Sequence, residues 1–225
     1  HSEKTFQIAA GQLHRNLTIL QNNSVKDMVF IGKVPKLELL KSLAKFDWMA
    51  IRELSKLNDF NDDSIQFRMG SLLKEFDITV RSQAAFLTEL FPDVGVLSKR
   101  KPTAQEYVDI QFGKRIAKEI ARQDIGQTVV VRDQMIMAIE AIEGTDKAIR
   151  RAVELANGPV VVVKVSKPNQ DQRFDIPTVG LNTLNSMLGP KPGGVLAIEA
   201  HETMVVDKEE MIEFCEKHNL SLVAI

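Results

Sequence analysis

A charged loop, Lys167–Pro177, follows at once on the most strand-like run of the chain, Val160–Val165. It carries the carboxylates of Asp171 and Asp175 and the guanidinium of Arg173 between two prolines. A connection that only reverses the chain uses Gly, Asn or Ser. Charge of both signs at the carboxyl end of a buried strand is instead typical of ligand sites in α/β proteins. We therefore expect this loop to carry the chemistry.

The charged side chains of this loop suit a ligand that contains phosphate. Asp171 and Asp175 could hold a metal ion or activate a water molecule, and the guanidinium fork of Arg173 can bind a pair of phosphate oxygens. Lys164 or Lys167 can add positive charge. The alternative is a surface loop that is salt-bridged internally, an arrangement that contributes little free energy.

A second candidate is the segment Glu140–Lys147, between a predicted strand and a predicted helix. Thr145 is predicted to be the N-cap of the helix, and Gly144 lets the backbone approach a ligand. Backbone N–H groups at a helix start can bind a phosphate. Three carboxylates, including those of Glu143 and Asp146, could hold Mg²⁺, which prefers hard oxygen ligands. The alternative is an ordinary helix start whose acidic residues favour the helix dipole.

The turn Asp124-Ile125-Gly126-Gln127 precedes another predicted strand. Its glycine allows a tight turn with Asp124 and Gln127 facing the same pocket. On local pattern alone, a plain connection from helix to strand is favoured.

Alternating helices and strands must position these segments. In the first half of the chain, apolar periodicity and cap residues predict helices over 5–22 and 65–76, one or two helices within 35–57, a short helix near 83–90, and strands over 27–31 and 78–80. Strands that alternate with helices indicate a parallel sheet covered on both faces.

The second half of the chain repeats this alternation. The predicted helices are 103–122, 146–156, 181–188 and 208–218, and the predicted strands are 128–132, 135–139, 160–165, 195–200 and 220–225. Thr103-x-x-Glu106 resembles a capping box at the start of the first of these helices. Asp133-Gln134 is predicted to be the turn between the first two strands.

A polar, turn-rich stretch from Phe91 to Pro102 separates the two halves. We therefore predict an α/β protein with two domains, residues 1–94 and residues 95–225. The chain opens at His1 without a methionine, and we expect that the first element of the first domain precedes this position.

Composition excludes several classes of protein. The 225 residues contain 29 Lys and Arg against 30 Asp and Glu, and such a balance argues against nucleic acid as a partner. The single cysteine, Cys215, excludes an internal disulfide framework and fits a reducing cytoplasm. The hydrophobic content of 44% is typical of a soluble globular protein.

The motifs described above occur in the order found in one known family. The matching stretches are Asp124–Gln127 with Val129–Val131, Glu140–Asp146, Lys164–Pro168, Gln170-Asp171, Arg173–Asp175, Pro177–Gly180, Glu199-Ala200 with Thr203, and in the first half Gly11–Leu13, Val29–Val34 and Asp62-Asp63. The chain resembles the UDP-2,3-diacylglucosamine pyrophosphatases of the non-calcineurin type, once catalogued as a domain of unknown function. The resemblance begins near Phe6 and covers nearly all of the chain from there.

The resemblance implies an activity and a cofactor. Members of the family hydrolyse the pyrophosphate of UDP-2,3-diacylglucosamine to UMP and 2,3-diacylglucosamine 1-phosphate, a step of lipid A synthesis, and they require Mg²⁺, for which Mn²⁺ is a chemical substitute. The family combines a Rossmann-like N-terminal domain with a distinctive C-terminal domain. It opens with a strand, a glycine-rich turn and a helix, which this chain lacks.

The resemblance also implies roles for residues. An aspartate of the C-terminal domain is essential in the family, and Asp171 or Asp175 matches its position. We expect both to bind metal and position water, supported by Glu143 and Asp146. The groups expected to bind phosphate and the rest of the substrate are Gln127, Gly144, Thr145, Lys164, Lys167, Gln170, Arg173 and Thr178.

The implied partner is an acylated UDP-sugar, which predicts a cytoplasmic protein with transient contact at the inner-membrane surface. A homo-oligomer is compatible with the sequence, but no residue pattern requires one. Two alternatives stay open: a hydrolase of another UDP-sugar or nucleotide diphosphate, and a non-catalytic protein that binds sugar nucleotides or lipid phosphates.

Overall fold

The computed structural model describes residues 3–9, 11–32, 46–57, 62–168, 170–191 and 193–225. It divides into two compact units. The first unit comprises His1–Phe86 together with Asp171–Asp175, and the second comprises Leu87–Gln170 and Ile176–Ile225. The five residues Asp171–Asp175 of the charged loop thus belong to the unit built from the first part of the sequence.

The first unit contains helices packed on a parallel strand pair. Its elements are α1 (Leu13–Asn22), β1 (Asp27–Val29), α2 (Trp48–Leu54), α3 (Asp62–Glu75), β2 (Thr79–Arg81) and a 3₁₀ turn at Gln83–Ala85. β1 pairs in parallel with β2, with Asp27 opposite Thr79. Leu13 and Leu17, one helical turn apart, pack in the core with Leu72, Leu73, Ile78 and Val80.

Two predictions in the first part of the chain are corrected. The helix predicted over 5–22 begins only at Leu13, and the short helix near 83–90 is two separate 3₁₀ turns, the second at Thr88–Leu90. The helical prediction for 35–57 lies outside the described residues as far as position 45. The parallel pairing of β1 and β2 confirms the predicted strand direction, and the Rossmann-like topology stays a prediction.

The second unit is a six-stranded mixed sheet between helices. In chain order its elements are β3 (Gly95–Val96), α4 (Ala104–Arg122), β4 (Thr128–Arg132), β5 (Met135–Ile139), α5 (Thr145–Ala156), β6 (Val161–Lys164), β7 (Thr178–Val179), α6 (Leu181–Ser186), β8 (Gly194–Ile198), β9 (Met204–Val205), α7 (Lys208–His218) and β10 (Leu220–Ala224). The sheet order is β3-β10-β8-β6-β4-β5, while β7 and β9 form a separate parallel pair.

The direction of the strands follows from their connections. β6, β8 and β10 run parallel and are joined by helices, whereas β4 is antiparallel to both β5 and β6. Only Asp133 and Gln134 lie between β4 and β5, and both have positive φ, as a two-residue hairpin turn requires. The buried carboxylate of Asp109 on α4 accepts both turn N–H groups, at 2.9 and 2.8 Å. Helix α4 thereby fixes the hairpin that sequence reasoning had predicted.

Alternating strand residues divide the core into two layers. Val129 and Val131 face α4, where they pack with Ile110 and Ala117. Val130 faces the opposite side with Val162 and the apolar face of α5, and Met211 and Cys215 of α7 complete that layer. Cys215 is fully buried, and burial raises the pKa of its thiol to about 12, so the prediction of a core cysteine is confirmed.

Candidate functional site

One edge of the six-stranded sheet gathers polar residues of the second unit. Thr128 at the start of β4 lies opposite Lys164 at the end of β6, and Lys164 lies opposite Ile198 at the end of β8. Val129 lies opposite Ile139, so β5 also ends at this edge. The carboxyl ends of parallel strands are the usual place for ligands in such sheets.

A buried polar cluster lies at this edge and consists of Glu140, Thr145, Lys164 and the Thr178 carbonyl group. Glu140 and Lys164 are only 8% and 7% exposed. The Thr145 hydroxyl donates to Glu140 Oε1 at 2.8 Å. Lys164 Nζ donates to Thr145 Oγ1 at 3.3 Å and to the Thr178 carbonyl at 3.0 Å. The structure thus brings together three of the predicted phosphate-binding residues, Thr145, Lys164 and Thr178.

The prediction that Thr145 caps α5 is wrong. The N-cap is Gly144, at φ +85° and ψ 166°, and Thr145 is the first helical residue. Backbone at this φ strains residues that carry a Cβ, so glycine suits the position. The hydroxyl of Thr145 is engaged by Glu140 instead of by the helix backbone.

Gln127 lies beside this cluster. Its backbone N–H donates to Glu140 Oε2 at 3.4 Å. Its Oε1 is buried and has no hydrogen-bond partner among the described residues. A Cβ added to Gly126 would come within 2.2 Å of the Glu140 carbonyl oxygen, so this turn has to carry glycine for its chain to pass so close to β5. The turn is therefore more constrained than the plain connection that its local pattern favoured.

The first limb of the charged loop is held within the second unit. Lys167 forms an ion pair with Asp124, and their side chains are only 10% and 20% exposed. The backbone N–H of Lys167 donates to Gln170 Oε1 at 3.2 Å, and the Gln170 N–H donates to the Lys167 carbonyl at 3.1 Å. These contacts join Lys167 and Gln170 to the turn that carries Gln127.

A second network, which sequence reasoning missed, fixes the residue where the loop begins. Glu199 Oε2, just beyond β8, accepts the Ser166 N–H at 2.8 Å and Lys118 Nζ at 2.6 Å. Lys118 also donates to the Ser166 carbonyl at 3.0 Å. The sequence shows Lys118 as one more cation on a long helix, and only its position over the end of β6 reveals the role.

The second limb of the loop, Asp171–Asp175, belongs to the first unit. The centroids of the Phe174 and Phe30 rings lie 5.1 Å apart. A Cβ added to Gly70 would lie 3.3 Å from Phe174 Cζ. Ser82 Oγ donates to the Gln172 carbonyl at 3.1 Å. The Phe174 ring and the Gln172 carbonyl therefore contact the first unit.

Arg173 and Asp171 form a bidentate ion pair within this limb. Arg173 Nη2 lies 2.6 Å from Asp171 Oδ2, and Nε lies 2.9 Å from Oδ1. The hydrogen bond from Arg173 lowers the pKa of Asp171 although partial burial opposes it, and the same bond raises the pKa of Arg173. The internal salt bridge that the alternative interpretation predicted is therefore present. The Asp175 N–H donates to the Asp171 carbonyl at 3.2 Å.

The four predicted metal ligands are divided between the two units. Glu143 and Asp146 belong to the second unit, and Asp171 and Asp175 to the first. Glu143 accepts from Arg151 at 2.8 Å, and its pKa is lowered chiefly by its own backbone N–H, with burial opposing and Arg151 assisting. Asp146 lies in the first turn of α5. In the part of the chain that the structure describes, no group of three or more His, Cys, Asp and Glu side chains is arranged to hold a metal ion.

None of the helices within the described ranges combines the length and apolar character needed to cross a membrane.

Two family models, one for each half of the chain, match this sequence. The model of the LpxI N-terminal domain matches residues 1–90, and that of the LpxI C-terminal domain matches residues 93–223. A relative from Caulobacter vibrioides, named UDP-2,3-diacylglucosamine pyrophosphatase LpxI, is 29% identical over 172 residues, which are 73% of this chain. The match spans 61% of the length of that relative. Because the two domain models together match nearly the whole sequence, the chain belongs to the LpxI family.

Proposed function

We propose that the protein hydrolyses the pyrophosphate bond of UDP-2,3-diacylglucosamine to UMP and 2,3-diacylglucosamine 1-phosphate, in lipid A synthesis. The observation that carries the proposal is the match of both LpxI domain models, supported by the activity named for the Caulobacter relative. The substrate would be an acylated UDP-sugar. A cytoplasmic protein in transient contact with the inner-membrane surface suits such a substrate.

The proposed chemistry is the attack of a water oxygen on one phosphorus, with cleavage of the bond from that phosphorus to the bridging oxygen. The bridging oxygen leaves with the other phosphate, and the water proton passes to a base. Positioning of the water and neutralisation of the phosphate charge carry such reactions. We assign the water to Asp171 or Asp175, which the family resemblance favours.

The positive charge needed by the diphosphate would come from Lys164, Lys167 and Arg173. The backbone N–H group of Thr145 would add a hydrogen bond at the start of α5, as helix starts do for anions. The Gly144 N–H donates to the Ala141 carbonyl at 3.2 Å, so Gly144 would contribute by letting the backbone approach the ligand. Gln127, Gln170 and Thr178 would contact the rest of the substrate. The buried polar cluster supports the part of this assignment that concerns the second unit, because Lys164 is held there at the sheet edge.

A divalent cation, Mg²⁺ or Mn²⁺, completes the proposal. When bound, it would neutralise charge on the diphosphate. The described carboxylates do not form a metal centre of their own, and Asp171 and Glu143 each pair with an arginine. These carboxylates therefore fit a cation that is bound mainly by the substrate phosphates. Mg²⁺ is usually bound in this way and then needs only one or two carboxylates from the protein. Glu143 and Asp146 are the supporting carboxylates in this assignment.

The metal requirement is tested by following UMP release from UDP-2,3-diacylglucosamine with Mg²⁺, with Mn²⁺ and with excess EDTA. We expect UMP in equal amount to the acylated sugar 1-phosphate with either metal, and none with EDTA. Full activity in EDTA would remove the metal from the proposal. Binding of the substrate without UMP under any of these conditions would favour a non-catalytic binding protein.

A further inference from the structure

We infer that Glu140 is a positioning residue: its carboxylate fixes the Thr145 hydroxyl, which in turn holds the ammonium group of Lys164 at the sheet edge. The inference rests on the proposed function only for the purpose of this arrangement, which is to hold Lys164 where it can neutralise the diphosphate. The sequence places Glu140 among three carboxylates that could hold a metal ion, but neither the sequence nor the family match assigns it a role in positioning Lys164.

The direction of the hydrogen bonds carries the argument. A hydroxyl group has one proton, and an ionised carboxylate can only accept. The Thr145 proton is therefore directed to Glu140 Oε1, at 2.8 Å, which leaves a lone pair of Thr145 Oγ1 for Lys164 Nζ at 3.3 Å. Without the carboxylate, the hydroxyl could rotate and direct its proton elsewhere, and Lys164 would lose a fixed acceptor.

Burial makes this arrangement consequential. An ammonium group held at 7% exposure is costly unless its charge is compensated and its protons are bonded. Glu140 supplies a negative charge one hydroxyl group away, in surroundings where electrostatic interactions are stronger than in water. The carboxylate is itself held, since its second oxygen accepts the Gln127 N–H and the close approach of Gly126 fixes its backbone.

A consequence for substrate binding follows. Because its proton is used by Glu140, the Thr145 hydroxyl has none to donate to a phosphate. Thr145 can offer an anion only its backbone N–H, and its side chain acts by holding Lys164. This narrows the role expected of Thr145 from the sequence.

The first test does not depend on activity. Lysines of the wild type and of Glu140→Gln, Thr145→Val and Thr145→Ser are reductively methylated, and the extent at Lys164 is measured by mass spectrometry. We expect methylation of Lys164 to rise several-fold in Thr145→Val and Glu140→Gln and to stay near wild type in Thr145→Ser, which keeps the hydroxyl. Lys118, on the opposite face of the sheet, should react alike in every variant. Glu154→Gln, an exposed carboxylate on α5, is the matched control.

The second test uses turnover of UDP-2,3-diacylglucosamine. If a lysine stabilises charge that develops in the transition state, loss of its interaction lowers kcat more than it changes KM. We expect kcat to fall by about tenfold or more in Thr145→Val and Glu140→Gln, which corresponds to a lost hydrogen bond to a charged group. Thr145→Ser, which keeps the hydroxyl, should lose clearly less activity than Thr145→Val, and the control Glu154→Gln should turn over like the wild type.

The outcomes separate the inference from the function. Unchanged methylation of Lys164 in both Thr145→Val and Glu140→Gln overturns the inference even if the wild type releases UMP. Increased methylation with no UMP from the wild type supports the positioning role and rejects the proposed function. If Glu140→Gln does not fold, the comparison of Thr145→Val with Thr145→Ser decides the inference alone.

Discussion

Asp171 and Asp175 are the side chains on which the proposed hydrolysis depends most. We predict that Asp171→Ala and Asp175→Ala each reduce UMP release by at least about 10²-fold, the scale of a lost general base or water-positioning group. The fold should survive Asp171→Ala, because its ion pair with Arg173 is partly exposed and such pairs contribute at most about 1 kcal/mol. Steady-state kinetics with circular dichroism of each variant checks both statements.

The control for these variants is Asp93→Ala, since the Asp93 side chain is 97% exposed. It should retain the activity of the wild type. Full activity in both Asp171→Ala and Asp175→Ala would show that the loop has been assigned wrongly.

The Lys167–Asp124 pair offers a second test at the residue scale. Its side chains are largely buried, so leaving Lys167 without this partner should cost about 1–3 kcal/mol, less than for a fully buried pair. Asp124→Asn is the change of choice because Asp124 has φ +52°, which asparagine tolerates. Hydrogen exchange of peptides that cover β4 and the end of α4 measures the local free energy of opening.

Asp133→Asn is the matched control for this prediction. Asp133 also has a positive φ, +51°, and forms a longer, more exposed pair with Arg132 at 3.5 Å. It should change the local stability by no more than about 0.5 kcal/mol. Equal effects of the two substitutions would mean that the Lys167–Asp124 pair does not stabilise the turn.

At the scale of elements, a buried carboxylate ties α2 to α3. Glu53 of α2 accepts from Arg68 of α3 at 2.6 Å and also from Lys56 and Arg52. Burial alone would raise the pKa of Glu53, but the hydrogen bonds from Lys56, Arg68 and Arg52 outweigh it and lower the pKa to about 2. The charged carboxylate therefore stabilises the packing of these two helices.

Acid should loosen this part of the first unit. A pKa lowered from 4.5 to about 2 contributes stability that is present above pH 4.5 and is lost as the pH falls towards 2. The linked free energy is about 3 kcal/mol. The fluorescence of Trp48, the single tryptophan and the first residue of α2, should report the loss in urea titrations between pH 7 and pH 3.

Glu53→Gln should remove most of this pH dependence and lower the stability at pH 7. Glu75→Gln is the control, because Glu75 also contacts Arg68 but is 55% exposed. A pH dependence in Glu53→Gln as large as that of the wild type would assign the acid sensitivity to other groups.

Local chemistry made several elements of this fold predictable. The capping box is formed as expected, with the Glu106 N–H bonded to Thr103 Oγ1 and the Thr103 N–H bonded to Glu106 Oε2. The β4–β5 hairpin and helix α7 have the predicted bounds. Each depends on neighbours within a few residues, which a sequence displays directly. The charged loop that follows β6 likewise indicated in the sequence that polar residues gather at the end of this strand.

Long-range contacts explain what the sequence did not reveal. The prediction that Thr145 caps the helix was wrong because its hydroxyl donates to Glu140. This contact depends on how β5 and α5 pack together, which the local sequence does not show. The first helix starts later than its apolar pattern indicated, and Gln12 precedes it without a side-chain cap bond. Strand order and direction in the mixed sheet depend on which residues pair, and alternation of apolar residues along one strand carries no such information.

At the scale of the whole molecule, the charged loop contributes to two units. Lys167 and Gln170 belong to the second unit, whereas Asp171–Asp175 belong to the first. The contacts that decide this join Phe174 with Phe30 and Gln172 with Ser82, residues about ninety or more positions apart. The two prolines and the charges predicted a functional loop, but nothing local predicts which core its aromatic residue joins.

The most direct test of the account is the release of UMP by the purified protein from UDP-2,3-diacylglucosamine, compared with UDP-sugars that lack the acyl chains, in Mg²⁺. We predict UMP from the diacylated substrate, with kcat/KM at least about 10²-fold above that for the unacylated sugars, since apolar contacts to the acyl chains add to the binding of the transition state. Equal or faster release from an unacylated UDP-sugar would keep the chemistry and contradict the substrate. Absence of UMP from every one of these substrates would contradict the hydrolase itself.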